Sequence, residues 1–132
     1  MPPVCGFDHI HVLVPDRQAA QAWYEQVLGL RPVERLASWT TEGGPLMVPD
    51  PSGQVMLALF EGKPRADRST IALRVASVAF LEWKEHLQRM LPRAPRLSDH
   101  LLSWSLYFED PFGNPYDITT YAYEETAQAL RS

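Results

Sequence analysis

Pro49-Asp50-Pro51-Ser52-Gly53-Gln54 and Glu109-Asp110-Pro111-Phe112-Gly113-Asn114 are two copies of one short segment, about sixty residues apart. Each copy is followed by an apolar strand, Val55 to Phe60 in the first case and Pro115 to Tyr121 in the second. An Asp-Pro-x-Gly sequence fits a type I turn, because Asp favours the first position, Pro the second and Gly the last. Both copies therefore predict a turn that leads into a strand.

The sequence ahead of each copy repeats as well. A strand from Phe7 to Val14 runs into a helix from Arg17 to Leu28, and a strand from Thr70 to Val75 runs into a helix from Val78 to Leu91. A repeat of this length is a supersecondary unit that cannot bury its apolar face alone. We therefore expect one domain, residues 1–132, of two modules with any functional site between them. The predicted parts are a first module at 7–61, a linker at 62–68, a second module at 69–121 and a C-terminal helix and tail at 122–132.

Local signals set the ends of these elements. Asp16 is a predicted N-cap for the first helix and Gly29 its C-terminal stop. Ser77 takes the corresponding cap position in the second module. Residues 31–48 are predicted to supply two further strands around a Gly43-Gly44-Pro45 turn.

Composition excludes several classes of protein. The chain of 132 residues is 45% hydrophobic and carries a net charge of -4, which argues against nucleic-acid binding because that needs a basic surface. The densest basic run, Arg89, Arg93 and Arg96, is interrupted by prolines and is predicted to be a solvated loop. The single cysteine, Cys5, excludes an internal disulfide. No apolar run is long enough for a membrane span and no signal-peptide pattern is present, so we expect a cytoplasmic protein.

Period-2 alternation places a polar set on the sheet face that the helices leave free. Each helix covers the apolar face of its sheet, and residues i and i+2 of a strand share a face. The predicted free face carries His9, His11, Leu13, Leu57, Leu59, Thr70, Ala72, Arg74, Ser105, Tyr107, Asp117, Thr119 and Tyr121. A core face would be more apolar, so this set predicts a polar small-molecule pocket with aromatic walls.

These motifs resemble a known family, the vicinal oxygen chelate superfamily, which includes glyoxalase I, extradiol dioxygenases, fosfomycin-resistance enzymes and bleomycin-resistance proteins. The segments similar to its first module are Asp8-His9-Ile10, Val14-Pro15-Asp16, Trp23-Tyr24 and Val27-Leu28-Gly29-Leu30. The segment similar to the end of its second module is Tyr107-Phe108-x-Asp110-Pro111-Phe112-Gly113-Asn114-x-x-Asp117. The resemblance covers about residues 7–121. It implies an α+β fold of two tandem βαβββ modules that form a cup-shaped mixed sheet, usually in a homodimer.

The resemblance also implies positions for a metal. Enzymes of the family hold one divalent ion with up to four ligands, two from each module, and the matching positions here include His9 and Asp117. The internal repeat maps His9 onto Thr70 and Asp117 onto Leu57, and neither of those residues is a good ligand. Two protein ligands fall short of the three plus water that catalytic zinc sites use. His11, two residues from His9, is a candidate for a third.

The sequence leaves two functions open. The preferred hypothesis is a small-molecule-binding protein with a pocket in the cup between the modules and without the full metal site; any proton transfer would use His9 and Asp117. The alternative is a lyase or dioxygenase that chelates vicinal substrate oxygens through one iron, manganese, nickel or zinc ion on His9 and Asp117. Whether the protein is an enzyme stays open. The polar face argues against a third class, the purely structural or interaction protein.

The predicted ligand is a small aromatic or oxygenated molecule. Arg74 is the natural partner for a carboxylate or an enolate. The predicted substrate-binding residues are His11, Thr70, Arg74, Tyr107, Thr119 and Tyr121.

Overall fold

Seven strands and four α-helices follow one another along residues 1–132, all of which the computed structural model describes. The strands are β1 (Ile10–Val14), β2 (Leu46–Pro49), β3 (Met56–Glu61), β4 (Ile71–Arg74), β5 (Arg96–Asp99), β6 (Trp104–Glu109) and β7 (Pro115–Thr120). The helices are α1 (Arg17–Trp23), α2 (Ala37–Thr41), α3 (Ser77–Met90) and α4 (Tyr123–Arg131). None of these helices combines the length and the hydropathy that a membrane span requires. The cytoplasmic location stays a prediction.

The chain divides into two compact units, residues 1–65 and 66–132, here called the first and the second unit. The first has a three-stranded sheet in the order β1-β3-β2, and the second a four-stranded sheet in the order β4-β7-β6-β5. Each sheet contains one parallel pair, β1 with β3 and β4 with β7, while the remaining pairs are antiparallel. The α+β class with mixed sheets is therefore confirmed. The module boundaries given above stay predictions.

The helix of the first unit begins and ends where the sequence predicts. The carboxylate of Asp16 accepts hydrogen bonds from the backbone N–H groups of Gln18 and Ala19, at 2.9 and 3.3 Å. After Trp23 the helix continues as one π-helical turn, and Gly29 ends it with φ of 70°. That left-handed conformation favours glycine.

Residues 31–45 do not form the strand that the sequence predicts. They fold instead into a short 3₁₀ turn, Glu34–Leu36, followed by α2. The Gly-Gly pair is not a hairpin turn but the C-terminal cap of α2, a Schellman motif in which Gly43 donates to the carbonyl of Thr40 and Gly44 to that of Trp39. A Cβ atom on Gly44 would lie 2.5 Å from the Trp39 carbonyl oxygen, so the close approach needs glycine. The first unit consequently has one strand fewer than the second.

β1 is shorter than predicted and starts at Ile10 rather than at Phe7. Continued backwards, the β1–β3 register would pair Phe7 and Asp8 with residues of the turn that precedes β3. Those residues are held in the turn, so they offer no ladder to pair with. His9 therefore lies just outside the strand.

The second unit carries a complete β-α-β-β-β module, but with an element that the sequence analysis missed. β5 occupies a segment predicted to be a loop, and it pairs with β6. Ser77 does not cap α3: the N-cap residue is Ala76, and the Ser77 hydroxyl donates instead to Glu125 on α4, at 3.0 Å. The apolar core of this unit contains the fully buried side chains of Phe80, Leu87, Leu106, Tyr116 and Ile118.

Candidate functional site

The strand register of the second unit places a set of polar side chains on one face of its sheet. Tyr107 lies opposite Asp117, and Ser105 lies opposite Thr119. On the other side of β7, Arg74 is paired with Thr119. Cross-strand partners point to the same face, so these five residues share one surface, as the alternation predicts. This surface is called the polar face of the second unit.

Asp117 is the most buried acidic group of this face, with 8% of its surface exposed. One carboxylate oxygen, Oδ2, accepts a hydrogen bond from the Ser105 hydroxyl at 3.2 Å, while the other, Oδ1, is buried and has no partner. Burial raises the pKa of Asp117 above its usual value; Ser105 and the nearby His100 act in the opposite direction without offsetting it. A buried acceptor without a partner is uncommon in folded proteins and suggests a missing hydrogen-bond donor.

Ser105 also connects Asp117 to Thr119. The two hydroxyl oxygens lie 3.1 Å apart, and the Thr119 hydroxyl can donate to the backbone carbonyl of Trp104 at 3.1 Å. This network fixes the orientation of the Asp117 side chain. The free oxygen is consequently held in one place rather than sampling several rotamers.

Tyr107 is joined to two residues that the sequence analysis did not include among the site residues. Its hydroxyl lies 2.9 Å from Nε2 of His100, and the guanidinium carbon of Arg96 lies 4.5 Å from the centre of its ring, a cation–π contact. Both partners come from β5 and the turn that follows it. The signal for them was the segment Arg96-Leu97-Ser98-Asp99, which the two preceding prolines, Pro92 and Pro95, obscured.

The remaining predicted residues of the second unit are more exposed. Arg74 is exposed and its guanidinium has no hydrogen-bond or ion-pair partner. Thr70 precedes β4 and is exposed. Tyr121 lies beyond the end of β7 with 66% of its surface exposed, and it takes no part in the hydrogen bonds around Asp117. The structure thus groups Tyr107, Thr119 and Asp117 and leaves Thr70 and Tyr121 outside that group.

The two predicted histidines of the first unit are in direct contact. Nε2 of His9 lies 3.1 Å from Nε2 of His11, and Nδ1 of His9 donates to the Asp8 carboxylate at 2.6 Å. His11 projects from β1 and its ring packs against Phe60 at 4.6 Å between centroids. His9 and Asp117, the predicted catalytic pair, belong to different units, and each has its own local partners.

The structure corrects the position that the internal repeat assigns to the counterpart of Asp117. The Asp50 carboxylate reaches the backbone N–H five residues on, at Val55, whereas the Asp110 carboxylate reaches the one four residues on, at Asn114. The first turn is one residue longer, which shifts the register of the strand after it. The structural counterpart of Asp117 is therefore Ala58, which pairs with His11, rather than Leu57.

This shift also moves Leu57 and Leu59 off the face predicted for them. They share the opposite face with Ile10 and Val12 and are buried there. Neither alanine nor leucine coordinates a metal. No group of three or more His, Cys, Asp or Glu side chains is placed to hold a metal ion, so the residues do not fit the family's four-ligand site.

A surface groove of about 400 Å³ lies in the first unit, between residues 29–35 and 49–53. It contains none of the predicted site residues. Its one carboxylate, Asp50, already accepts hydrogen bonds from the Ser52 hydroxyl and the backbone of Val55. Partial burial acts to raise the pKa of Asp50, but these hydrogen bonds outweigh it and the pKa lies below its usual value. The carboxylate thus stabilises the turn.

Comparison with known families gives one match over most of the chain. The model of the Glyoxalase/Bleomycin resistance protein/Dioxygenase superfamily matches residues 6–118. No curated protein sequence matches the chain significantly.

Several solved structures share the fold at low sequence identity. An integron cassette protein from the mobile metagenome of Halifax Harbour sewage outfall superposes with a TM-score of 0.70 at 19% identity, over 89% of this chain and 99% of that one. The fosfomycin resistance protein FosX from Listeria monocytogenes, complexed with Mn(II) and sulfate, gives 0.66 at 16% identity, over 97% and 99%. Lactoylglutathione lyase from Agrobacterium tumefaciens gives 0.65 at 22% identity, over 90% and 96%. At these identities the likeness shows the fold alone.

Proposed function

This chain belongs to the Glyoxalase/Bleomycin resistance protein/Dioxygenase superfamily, and on that premise we propose that it binds a small oxygenated anion on the polar face of the second unit. The observation that carries the proposal is the buried carboxylate oxygen of Asp117, which has no hydrogen-bond partner. A ligand hydroxyl would satisfy it once the side chains that cover this oxygen move aside on binding. Such a group is otherwise an unexplained loss of stability, about 1–3 kcal/mol for a buried polar atom without a partner.

The charges on this face favour a ligand that is itself negatively charged. Arg74 has no partner, and Arg96 is engaged only through the Tyr107 ring and the Ser98 hydroxyl. A guanidinium binds a carboxylate or an enolate oxygen through charge-assisted hydrogen bonds. The ligand class that fits is a small hydroxy acid, keto acid or phenolic acid, with its hydroxyl on Asp117 and its anionic group on Arg74. Tyr107 and Thr119 would contact the body of the ligand.

A thermal-shift screen tests this proposal. The probes are small hydroxy, keto and phenolic acids, each paired with its uncharged methyl ester, in buffer with a chelator. We expect at least one acid to raise Tm while its ester does not, since a ligand that binds only the folded state stabilises it by mass action. If no acid shifts Tm, or if acids and esters shift it equally, the proposal is wrong.

Substitution of Arg74 tests whether the ligand binds on the polar face. Arg74→Gln should weaken binding of the selected acid by about ten-fold or more, because a hydrogen bond to a charged group contributes about 1.5–3 kcal/mol. Arg93→Gln is the matched control, since Arg93 is an exposed arginine of the same unit that lies outside the polar face. Equal affinity of the Arg74 variant and the control would place the ligand elsewhere.

A second candidate function is a metal-dependent lyase or dioxygenase, which the Mn(II) bound to the similarly folded FosX favours. The candidate ligands are the family positions His9 and Asp117. Metal analysis of protein purified without chelator tests this, with His9→Ala and Asp117→Ala beside it. About one transition-metal ion per chain, absent from both variants, would favour this function over the metal-independent one. We also propose that the protein acts as a homodimer, the assembly that the family resemblance implies.

A further inference from the structure

We infer that His9 and His11 together form a binding site for one divalent transition-metal ion, with Asp8 as the carboxylate that orients the site. This site lies within the first unit and uses neither Asp117 nor any residue of the second module. It is therefore distinct from the four-ligand arrangement that the residues do not fit, and it does not depend on the proposed ligand-binding face. The imidazole donors suit nickel, copper or zinc.

The first observation is that both imidazoles present the same ring nitrogen to each other. Their Nε2 atoms lie 3.1 Å apart, on residues separated by one position in sequence. A metal–nitrogen distance of about 2.0–2.1 Å would make the nitrogen–metal–nitrogen angle about 95–100° at this separation. That value lies between the ideal octahedral and tetrahedral angles, so one ion can accept both nitrogens without a change in their separation.

The second observation is the partner of the other His9 nitrogen. Nδ1 of His9 donates to Asp8 at 2.6 Å, so in the neutral imidazole the lone pair lies on Nε2, the atom that faces His11. A carboxylate that holds the far nitrogen of a histidine is the usual outer-shell partner of a metal-binding imidazole, because it fixes the ring and increases its basicity. The contact with Asp8 thus orients the His9 ring for coordination in the metal-free protein.

The alternative is a simple hydrogen bond between the two rings, with a proton on Nε2 of His11. The ring centroids lie 5.0 Å apart with 22° between the planes. A straight nitrogen-to-nitrogen contact of this length would hold the centroids farther apart, so the two nitrogens are not aimed directly at each other. That geometry weakens a hydrogen bond, which prefers a nearly linear arrangement.

The surroundings leave the rest of the coordination sphere open. The ring of His11 rests on Phe60, which fixes one side of the site with an apolar wall. The His9 side chain is 33% exposed, so solvent can reach it. Two protein ligands make a bidentate site whose other positions would be occupied by water or by oxygen atoms of a ligand.

Titration with Ni²⁺ on the full-length, tag-free protein tests the inference. All variants carry Cys5→Ser, because that exposed thiol lies four residues from His9 and is itself a ligand. We expect one Ni²⁺ per chain, an affinity more than about ten-fold lower in His11→Ala, where one imidazole remains, and an affinity about 10–100-fold lower in Asp8→Asn. His86→Ala, which removes a histidine on α3, should bind as the parent does.

Electron paramagnetic resonance of bound Cu²⁺ gives an independent readout. The parent should show coupling to two imidazole nitrogens and His11→Ala to one, and thermal melting confirms that each variant is folded. The inference is overturned if His11→Ala binds Ni²⁺ as tightly as the parent while Asp117→Ala does not, since the ion would then use the positions that the family resemblance implies. It is also overturned if the parent binds no Ni²⁺, which would leave the contact as a hydrogen bond between two rings.

Discussion

Asp117 is one of the two buried aspartates of the second unit. Burial raises the pKa of Asp117, so the folded protein binds this proton more tightly than the unfolded chain does. The free energy of unfolding therefore decreases as pH rises from the unfolded-state pKa of Asp117 through its raised folded-state pKa. Replacement by asparagine removes the titration and keeps an oxygen for the Ser105 hydroxyl.

We therefore expect Asp117→Asn to gain stability relative to the parent as pH rises. The gain should reach about 1 kcal/mol near neutral pH, the order expected when a poorly satisfied buried charge becomes neutral. Urea unfolding of both proteins between about pH 4 and about pH 8 measures it. Glu109→Gln, an exposed carboxyl on β6, should show no comparable trend. If the free energies of unfolding of the parent and of Asp117→Asn differ by the same amount at every pH, burial does not raise the pKa of Asp117.

Individual residues also show where sequence reasoning stops. Alternation along β6 and β7 was enough to put Tyr107, Asp117 and Thr119 on one face, because an antiparallel pair keeps its register over several residues. It failed for Leu57, because the turn before β3 is one residue longer than its repeat and a slip of one position reverses the faces. Nor could it find the contact of His100 with Tyr107, which depends on the short strand directly after Pro95.

At the scale of elements, α4 contains a defect that the fold tolerates. The hydroxyl of Thr126 is fully buried and has no hydrogen-bond partner. Thr120, at the end of β7, is buried to the same extent, but its hydroxyl accepts a hydrogen bond from the backbone N–H of Ala122, the N-cap residue of α4, at 3.3 Å. The two threonines are thus equally buried and differ in hydrogen bonding, although Thr120 ends a strand and Thr126 lies within a helix.

Replacement of each threonine by valine, which has nearly the same shape, should change the stability of the protein in opposite directions. Thr126→Val is expected to stabilise the protein by about 1 kcal/mol, because it removes a buried hydroxyl that has no partner. Thr120→Val should destabilise it by a similar amount, since the Ala122 N–H at the start of α4 would lose its acceptor. Chemical denaturation of both variants measures the changes. Destabilisation by both would mean that the Thr126 hydroxyl has a partner after all, such as a buried water.

Elements differ in how well their sequences identify them. Helix α1 was predictable because Asp16 and Gly29 supply a cap and a stop with distinct chemistry. The Gly43-Gly44 pair was misread, because the same dipeptide serves a hairpin and a Schellman motif, and only the hydrogen bonds to Trp39 and Thr40 tell them apart. β5 was missed because four residues directly after Pro95 give too short a pattern. The sequence therefore predicts long periodic segments reliably, whereas the conformation of short connecting elements depends on tertiary contacts.

At the scale of the whole molecule, two neighbouring apolar side chains are exposed on the surface. The turn between β5 and β6 exposes Leu101 and Leu102, each with 78% of its surface accessible. Leu101 also has φ of 70°, a conformation that is unfavourable for a residue other than glycine. Burial of one leucine side chain stabilises by about 1.5–3 kcal/mol, so two adjacent leucines could contribute substantially to an interface.

We expect the protein to be a homodimer in which this turn is buried. The chain has a mass of 15.0 kDa, so light scattering coupled to size exclusion should give twice that value at micromolar concentration. Leu102→Asp should shift the equilibrium toward the monomer, because an aspartate at an apolar contact loses its hydration without gaining a partner. Val78→Asp, on α3 and 72% exposed, introduces the same charge elsewhere and should leave the dimer intact. A monomeric parent would show that the family resemblance does not extend to assembly, and a dimeric Leu102 variant would move the interface to another surface.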